Sequence, residues 1–348
     1  MKTYKFLLVA LIATGFFTAC NNEIAVEQSI KQGAEISFRL QGGMPEQITT
    51  RSMATTKDNL EAFVVFGTDD VLAATNDLIF EGVTVARQLD GDFAYFPKKY
   101  FSVGVTYAGF FAFAPVSAID PLDIDMSTFT SGEVKYTVPA PDGSGDAVQE
   151  DLLLASEILA LPTDFQNPVN LTFEHALARI FVTATNEGDE PVIIKALTLK
   201  NLKTSGKLVI NSSLVWSWDP LFPSPVADYD YVLAPSGVAI PVGTTTKTLV
   251  TSMEQGMMVL PQETVNNGGD HTAGDFALEI VYDIANLTGE YAYVYIPLVS
   301  TAPNVGYEFE AGNQYNINIT FDADITGNPI EFKVIDVAPF GSPIDVNP

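Results

Sequence analysis

The run QYNINITF, Gln314–Phe321, sets Tyr315, Ile317, Ile319 and Phe321 against Gln314, Asn316, Asn318 and Thr320. An apolar side chain at every second position is the period of a strand, not of a helix. From Leu60 onward similar short runs follow one another: AFVVFG (Ala62–Gly67), VGVTYAGFFAFAPV (Val103–Val116), RIFVTAT (Arg179–Thr185), KLVIN (Lys207–Asn211), FALEIVYDI (Phe276–Ile284) and YAYVYIPLV (Tyr291–Val299). They are rich in Val, Ile, Tyr, Phe and Thr and are bounded by Gly, Pro, Asn or Asp, the residues that end strands. The nearest helical candidate is DLLLASEIL (Asp151–Leu159), a short helix at most. Many short strands with frequent turn signals predict an all-β chain of stacked antiparallel sheets, that is, β-sandwiches. The segment LPTDFQNPVN (Leu161–Asn170), with two prolines, breaks the pattern and suggests a domain boundary. The expected organisation is a sandwich over residues 52–164, a second over 165–322 and a tail over 323–348, each sandwich large enough for one core.

Of the 348 residues, 47% are apolar, so a packed core is affordable. The net charge of -26 excludes the basic footprint that nucleic-acid binding requires. The acidic residues are spread along the chain, a pattern that favours solubility, and no calcium loop of the D-x-D-x-D-G type is present. The sequence implies no cofactor and no metal. It contains no H-E-x-x-H, G-x-S-x-G, phosphate-binding or dinucleotide-binding motif. Of the two histidines, His175 lies between Phe173 and an apolar run and reads as a hydrogen-bonded core residue; His271 lies in a Gly-rich loop. A hydrolase built from two of the many carboxylates would need a facing pair in a cleft, so a non-catalytic role is expected.

Residues 1–20, MKTYKFLLVALIATGFFTAC, have a basic start (Lys2, Lys5) and an apolar stretch, Phe6 to Phe17, too short to span a bilayer. The stretch runs into Thr18, Ala19 and the only cysteine, Cys20, so no intramolecular disulfide can form. It resembles a bacterial lipoprotein signal, with cleavage before Cys20 and lipid on its thiol; the alternative is an ordinary signal peptide with an incidental cysteine. Several acyl chains would hold the protein stably at a membrane.

Five phrases resemble, in order, those of the fimbrillins, or type V pilins, of Gram-negative gut and oral anaerobes. They are VTYAGFFAFAPV from Val105, DLLLAS from Asp151, LTFEHALARIFVTAT from Leu171, GMMVLPQ from Gly256 and FEAGNQYNINITF from Phe309. The resemblance implies two transthyretin-like sandwiches in tandem and export as a lipoprotein to the outer membrane. It further implies maturation by an arginine-specific surface protease and polymerisation with other pilin subunits into adhesive fimbriae by donor-strand exchange.

The residues carry a compatible device. A sandwich lacking one strand exposes an apolar groove and unpaired backbone, which seek another strand. AEISFRL (Ala34–Leu40) can fill such a groove, because Ile36, Phe38 and Leu40 point to one face. Within residues 21–51, this plug is followed by the Gly-rich, polar QGGMPEQITTR, open to proteolysis. Cutting between Arg51 and Ser52 would release anchor and plug together. The tail repeats the pattern: Ile330, Phe332 and Val334 alternate with Glu331 and Lys333. This segment is either a donor strand for the next subunit or the last strand of its own domain. A second reading is a monomeric or tip-located adhesin that binds glycan or host protein. Its candidate contacts are Trp216, Trp218, Phe222, Tyr229 and Tyr231, in and beside the loop SWDPLFPSPVADYDY.

Overall fold

The computed structural model describes residues 33–41, 60–68, 78–119, 123–125, 132–141, 149–161, 164, 167–231, 233, 236–250, 256–263, 276–284, 292–297, 308–321 and 330–339. Cys20, Arg51, Ser52 and His271 lie outside them. In chain order the strands are β1 (Phe38–Leu40), β2 (Ala62–Thr68), β3 (Leu78–Arg87), β4 (Phe93–Ala94), β5 (Tyr107–Ala114), β6 (Asp123–Asp125), β7 (Glu133–Thr137) and β8 (Leu153–Ala160). They continue as β9 (Val169–Leu171), β10 (Glu174–His175), β11 (Ala178–Asn186), β12 (Val192–Lys203), β13 (Ser205–Ile210), β14 (Trp216–Trp218), β15 (Val226–Asp230) and β16 (Val238–Ile240). The remainder are β17 (Thr244–Leu249), β18 (Met257–Val259), β19 (Gln262–Glu263), β20 (Ala277–Ile284), β21 (Ala292–Pro297), β22 (Glu308–Phe309), β23 (Asn313–Phe321) and β24 (Ile330–Pro339). The chain is an all-β sandwich protein, as the period-two runs predict.

The first sheet has the order β10-β8-β5-β2-β3-β4-β1-β9. Because β9 and β10 are nearly consecutive in the chain yet lie at its two ends, the sheet curls round on itself. Its inner face holds one core, with Ile36, Phe38, Leu40, Phe63, Phe80 and Phe110 among its members. Its outer face contributes Val64, Phe111, Phe113 and Leu154 to a second core shared with the later strands. Thus β2, β5 and β8 are covered on both sides, which is why β5 reads as an unbroken apolar run rather than a clean alternation. The same burial accounts for Asp151–Leu159. Leu152, Leu153, Leu154 and Ala155 are all buried, so a strand with two dry faces, β8, imitates an apolar helix segment.

The second core is enclosed by three further sheets: β17-β11-β23-β24 with β18 also on β11, β15-β12-β20-β21 with β16 also on β12, and β14-β13-β7-β6. The expected boundary at residues 164/165 does not follow the sheets. Strands β9 and β10, beyond it, pair with β1 and β8 of the first sheet. Strand β7, before it, pairs with β13 over Glu133–Thr137. Strand β8 ends at Ala160 and β9 begins at Val169, directly after Pro168, so the break in the pattern separates two strands of one sheet rather than two cores.

Candidate functional site: a strand slot in the first sandwich

Residues 33–41 lie in a slot formed by segments far away in the chain. Gly33 and Ile36 donate backbone hydrogen bonds to Phe101 and Lys99 (2.9 and 3.0 Å), and Phe101 N donates back to Ala34 (3.1 Å). Beyond Ile36 the strand changes partners. Phe38 is opposite Phe93 of β4, while Phe38, Arg39 and Leu40 run parallel to Val169, Asn170 and Leu171 of β9. Val169 N donates to Ser37 and Gln41 N to Leu171 (2.8 and 3.0 Å). β1 is therefore an interior strand, paired on both sides, and among the described residues it is the only strand partner of β9.

Side-chain alternation does the rest. Ile36, Phe38 and Leu40 are at most 5% exposed, whereas Glu35, Ser37 and Arg39 face outward. The Phe38 ring makes edge contacts with Phe63, Phe80, Tyr95 and Phe110 at centroid distances of 6.0, 5.4, 5.8 and 5.7 Å. Aromatic pairs of this geometry add to the free energy of burial. The Tyr95 hydroxyl donates to the Ile36 carbonyl at 2.6 Å. Burial, opposed by its bond with Lys99, pushes this hydroxyl up to about 12, so it remains a neutral donor at physiological pH. At the solvent side Lys98 Nζ pairs with Glu35 Oε1 at 2.5 Å. The slot holds an extended segment with apolar residues at alternate positions.

The other predicted positions are dispersed. Ile330, Phe332 and Val334 lie in β24, antiparallel to β23 at the end of its sheet, with Ile330 opposite Phe321 and Phe332 opposite Ile319. Trp216, Trp218 and Phe222 border a common cleft of the second sandwich. Tyr229 and Tyr231 do not join them as surface contacts. They occupy alternate positions along and just after β15 and point inward, 7% and 6% exposed, with hydroxyls donated to the carbonyls of Val138 (2.8 Å) and Ile180 (3.1 Å). Alternation along a strand selects one face, and here that face is the core.

Sequence reasoning missed a buried polar junction between the two cores. His175 Nδ1 and Asp151 Oδ2 are 2.6 Å apart, with side chains 8% and 0% exposed. Nearby, Arg179 has its guanidinium 4.5 Å from the Phe181 ring centroid, and burial brings its pKa down to about 10 against the pull of Asp151. Gln149 brackets Met258, accepting from its N–H (2.8 Å) and donating to its carbonyl (3.2 Å). A Cβ on Gly256 would lie 2.6 Å from the Phe181 ring, so only glycine fits there. Four of the five phrases quoted above, from DLLLAS to FEAGNQYNINITF, therefore meet in space: Arg179 is opposite both Met258 and Gln314. Their proximity in space was the missing information; the shared signal was polar residues embedded in apolar runs.

A family model described as fimbrillin-like matches residues 49–336. No curated protein matches the sequence. Among solved structures, a fimbrial protein from Bacteroides vulgatus superposes with a TM-score of 0.58 at 14% identity, over 88% of this chain and 99% of that one. A candidate cell adhesion protein from Parabacteroides distasonis gives 0.51 at 9% identity, over 90% and 99%. Another from Bacteroides eggerthii gives 0.50 at 11%, over 88% and 96%. At these identities the likeness is one of fold.

Proposed function

The chain belongs to the fimbrillin-like family, and from that premise we propose that it is a non-catalytic subunit of a cell-surface fimbria, assembled by exchange of the strand in its slot. In this reading the precursor is lipidated on Cys20 and held at the outer membrane. An arginine-specific protease cuts between Arg51 and Ser52, and β1 leaves with the anchor. The emptied slot then takes an alternating apolar strand from another subunit, and the filament supports adhesion to host or bacterial surfaces. The candidate donor is the segment containing Ile330, Phe332 and Val334.

The observation that carries the proposal is the seating of Phe38. A three-residue strand from one end of the chain fills the middle of a four-ring nest, and its loss would leave a hole in the core and β9 without its partner. Burying three large apolar side chains contributes roughly 5–9 kcal/mol before ordering costs. That gross term favours a filled slot in the precursor, and a similar strand would recover it in the polymer. Donation by β24 requires it to peel from β23; among the described residues it is paired on that side alone, which makes this a one-sided detachment.

The test is to treat residues 21–348 with an arginine-specific protease. Detergent-resistant ladders should form, and Arg51→Ala should abolish them. A clean cut at Arg51 that yields only monomer would count against polymerisation. The engagement of β24 with its own sheet favours one second reading: a subunit that accepts a strand without donating one, located at a filament end. Such a subunit would cap the growth of other fimbrillins while forming no ladder alone.

A further inference from the structure

The cleft beside β14 is not used by the strand-exchange reading. It measures about 440 Å³ and its walls include Trp216, Trp218, Phe222, Glu263, Glu308 and Glu310, none of them part of the slot. The β13–β14 pairing places Leu208 opposite Trp218 and Ile210 opposite Trp216, so both indoles share one face. Both are half-buried, and Trp218 is fixed. Trp218 Nε1 donates to the Ala176 carbonyl at 2.8 Å, and its ring covers Gly206 so closely that a Cβ there would lie 2.6 Å from it. The turn after Trp218 is also tied down: Asp219 accepts from Leu221 N (3.0 Å) and pairs with Lys207 (3.2 Å), which holds the turn that carries Phe222.

We propose that this cleft binds a short glycan without acidic groups. Rigid aromatic walls with a few convergent polar groups form a small-ligand site, and an indole offers an apolar plate to the C–H face of a sugar ring. The carboxylates of Glu263, Glu308 and Glu310 are exposed acceptors suited to sugar hydroxyls. Among the described residues these three carboxylates outnumber the lining cation Lys203, so a sialylated or sulfated ligand would be repelled. Strand addition by a peptide is disfavoured because β14 presents an edge of only three residues, too short to fix a register.

The two tryptophans of the chain are both in this cleft, so intrinsic indole fluorescence reports on it alone. The experiment titrates residues 21–348 with lactose, maltotriose, cellotriose and triacetylchitotriose, with sialyllactose and an oligolysine peptide as controls. At least one neutral probe should shift the emission saturably, sialyllactose should not, and Trp216→Ala and Glu308→Gln should each weaken binding tenfold or more. Trp218→Ala is avoided because that ring also supports the core. Silence from every neutral probe, unchanged affinity in Trp216→Ala, or a response to oligolysine alone would each overturn the proposal. Ladder formation after cleavage at Arg51 does not depend on this cleft, so the two proposals fail independently.

Discussion

Ile36–Leu40 and Ile330–Val334 carry the same alternation near the two ends of the chain, ISFRL and IEFKV, but the sheets hold them by different means. β1 is three residues long and lies between β4 and β9, strands from distant parts of the sequence. β24 is ten residues long and follows β23 as its antiparallel neighbour from Ile330–Phe321 to Pro339–Asn313. A short strand has few ladder bonds, so the fit of Ile36, Phe38 and Leu40 in the core must hold β1. A long hairpin arm is held along its backbone. In the proposed mechanism the first leaves once its link to the body is cut, whereas the second would have to be unzipped from β23 before it could be donated.

The sharpest way to break this contrast is competition in trans. A chain beginning at Ser52 lacks the plug and should bind a synthetic peptide of residues 33–41, measured by fluorescence anisotropy. A peptide of residues 330–339 should displace it. If the second peptide does not compete at all, the shared pattern is coincidental and β24 belongs only to its own sheet. Next in size, Phe38→Ala in the precursor removes a ring from a four-ring nest and should destabilise the first sandwich by about 3–5 kcal/mol, read by urea unfolding.

Tyr95→Phe should cost about 1 kcal/mol through the lost bond to the Ile36 carbonyl. It also has a pH signature. Burial pushes the folded hydroxyl up to about 12 from an ordinary 10.0, so the folded state favours the neutral phenol. Its contribution is complete below pH 10 and is lost as pH rises towards about 12. Part of the alkaline loss of stability should therefore vanish in Tyr95→Phe. The smallest effect belongs to Lys98→Ala. The Lys98–Glu35 pair is 49% and 42% exposed, and its removal should change precursor stability by no more than about 0.5 kcal/mol.

Particular residues show what was legible. The alternation of Ile36, Phe38 and Leu40 correctly foretold their buried face, because period two is a property of the chain itself. The same rule could not say that Tyr229 and Tyr231 face the core: alternation defines two faces without naming the one that is covered. Nor could it tell β8 from a helix, since a strand dry on both faces loses its period. The polar residues Asp151, His175 and Arg179 could not be joined from sequence, because Asp151 reaches His175 through the pairing of β8 with β10 across a long loop, and Arg179 lies in β11 of another sheet.

By itself, the sequence determined the all-β class, the short strands and the apolar face of the plug, all of which follow from local geometry within a few residues. Only the tertiary structure decided that β1 lies parallel to β9 inside a curled sheet, that β6 and β7 stand with the second half, and that β24 pairs with β23. Backbone hydrogen bonds are alike in every strand, so the choice of partner depends on which distant side chains complete the same core.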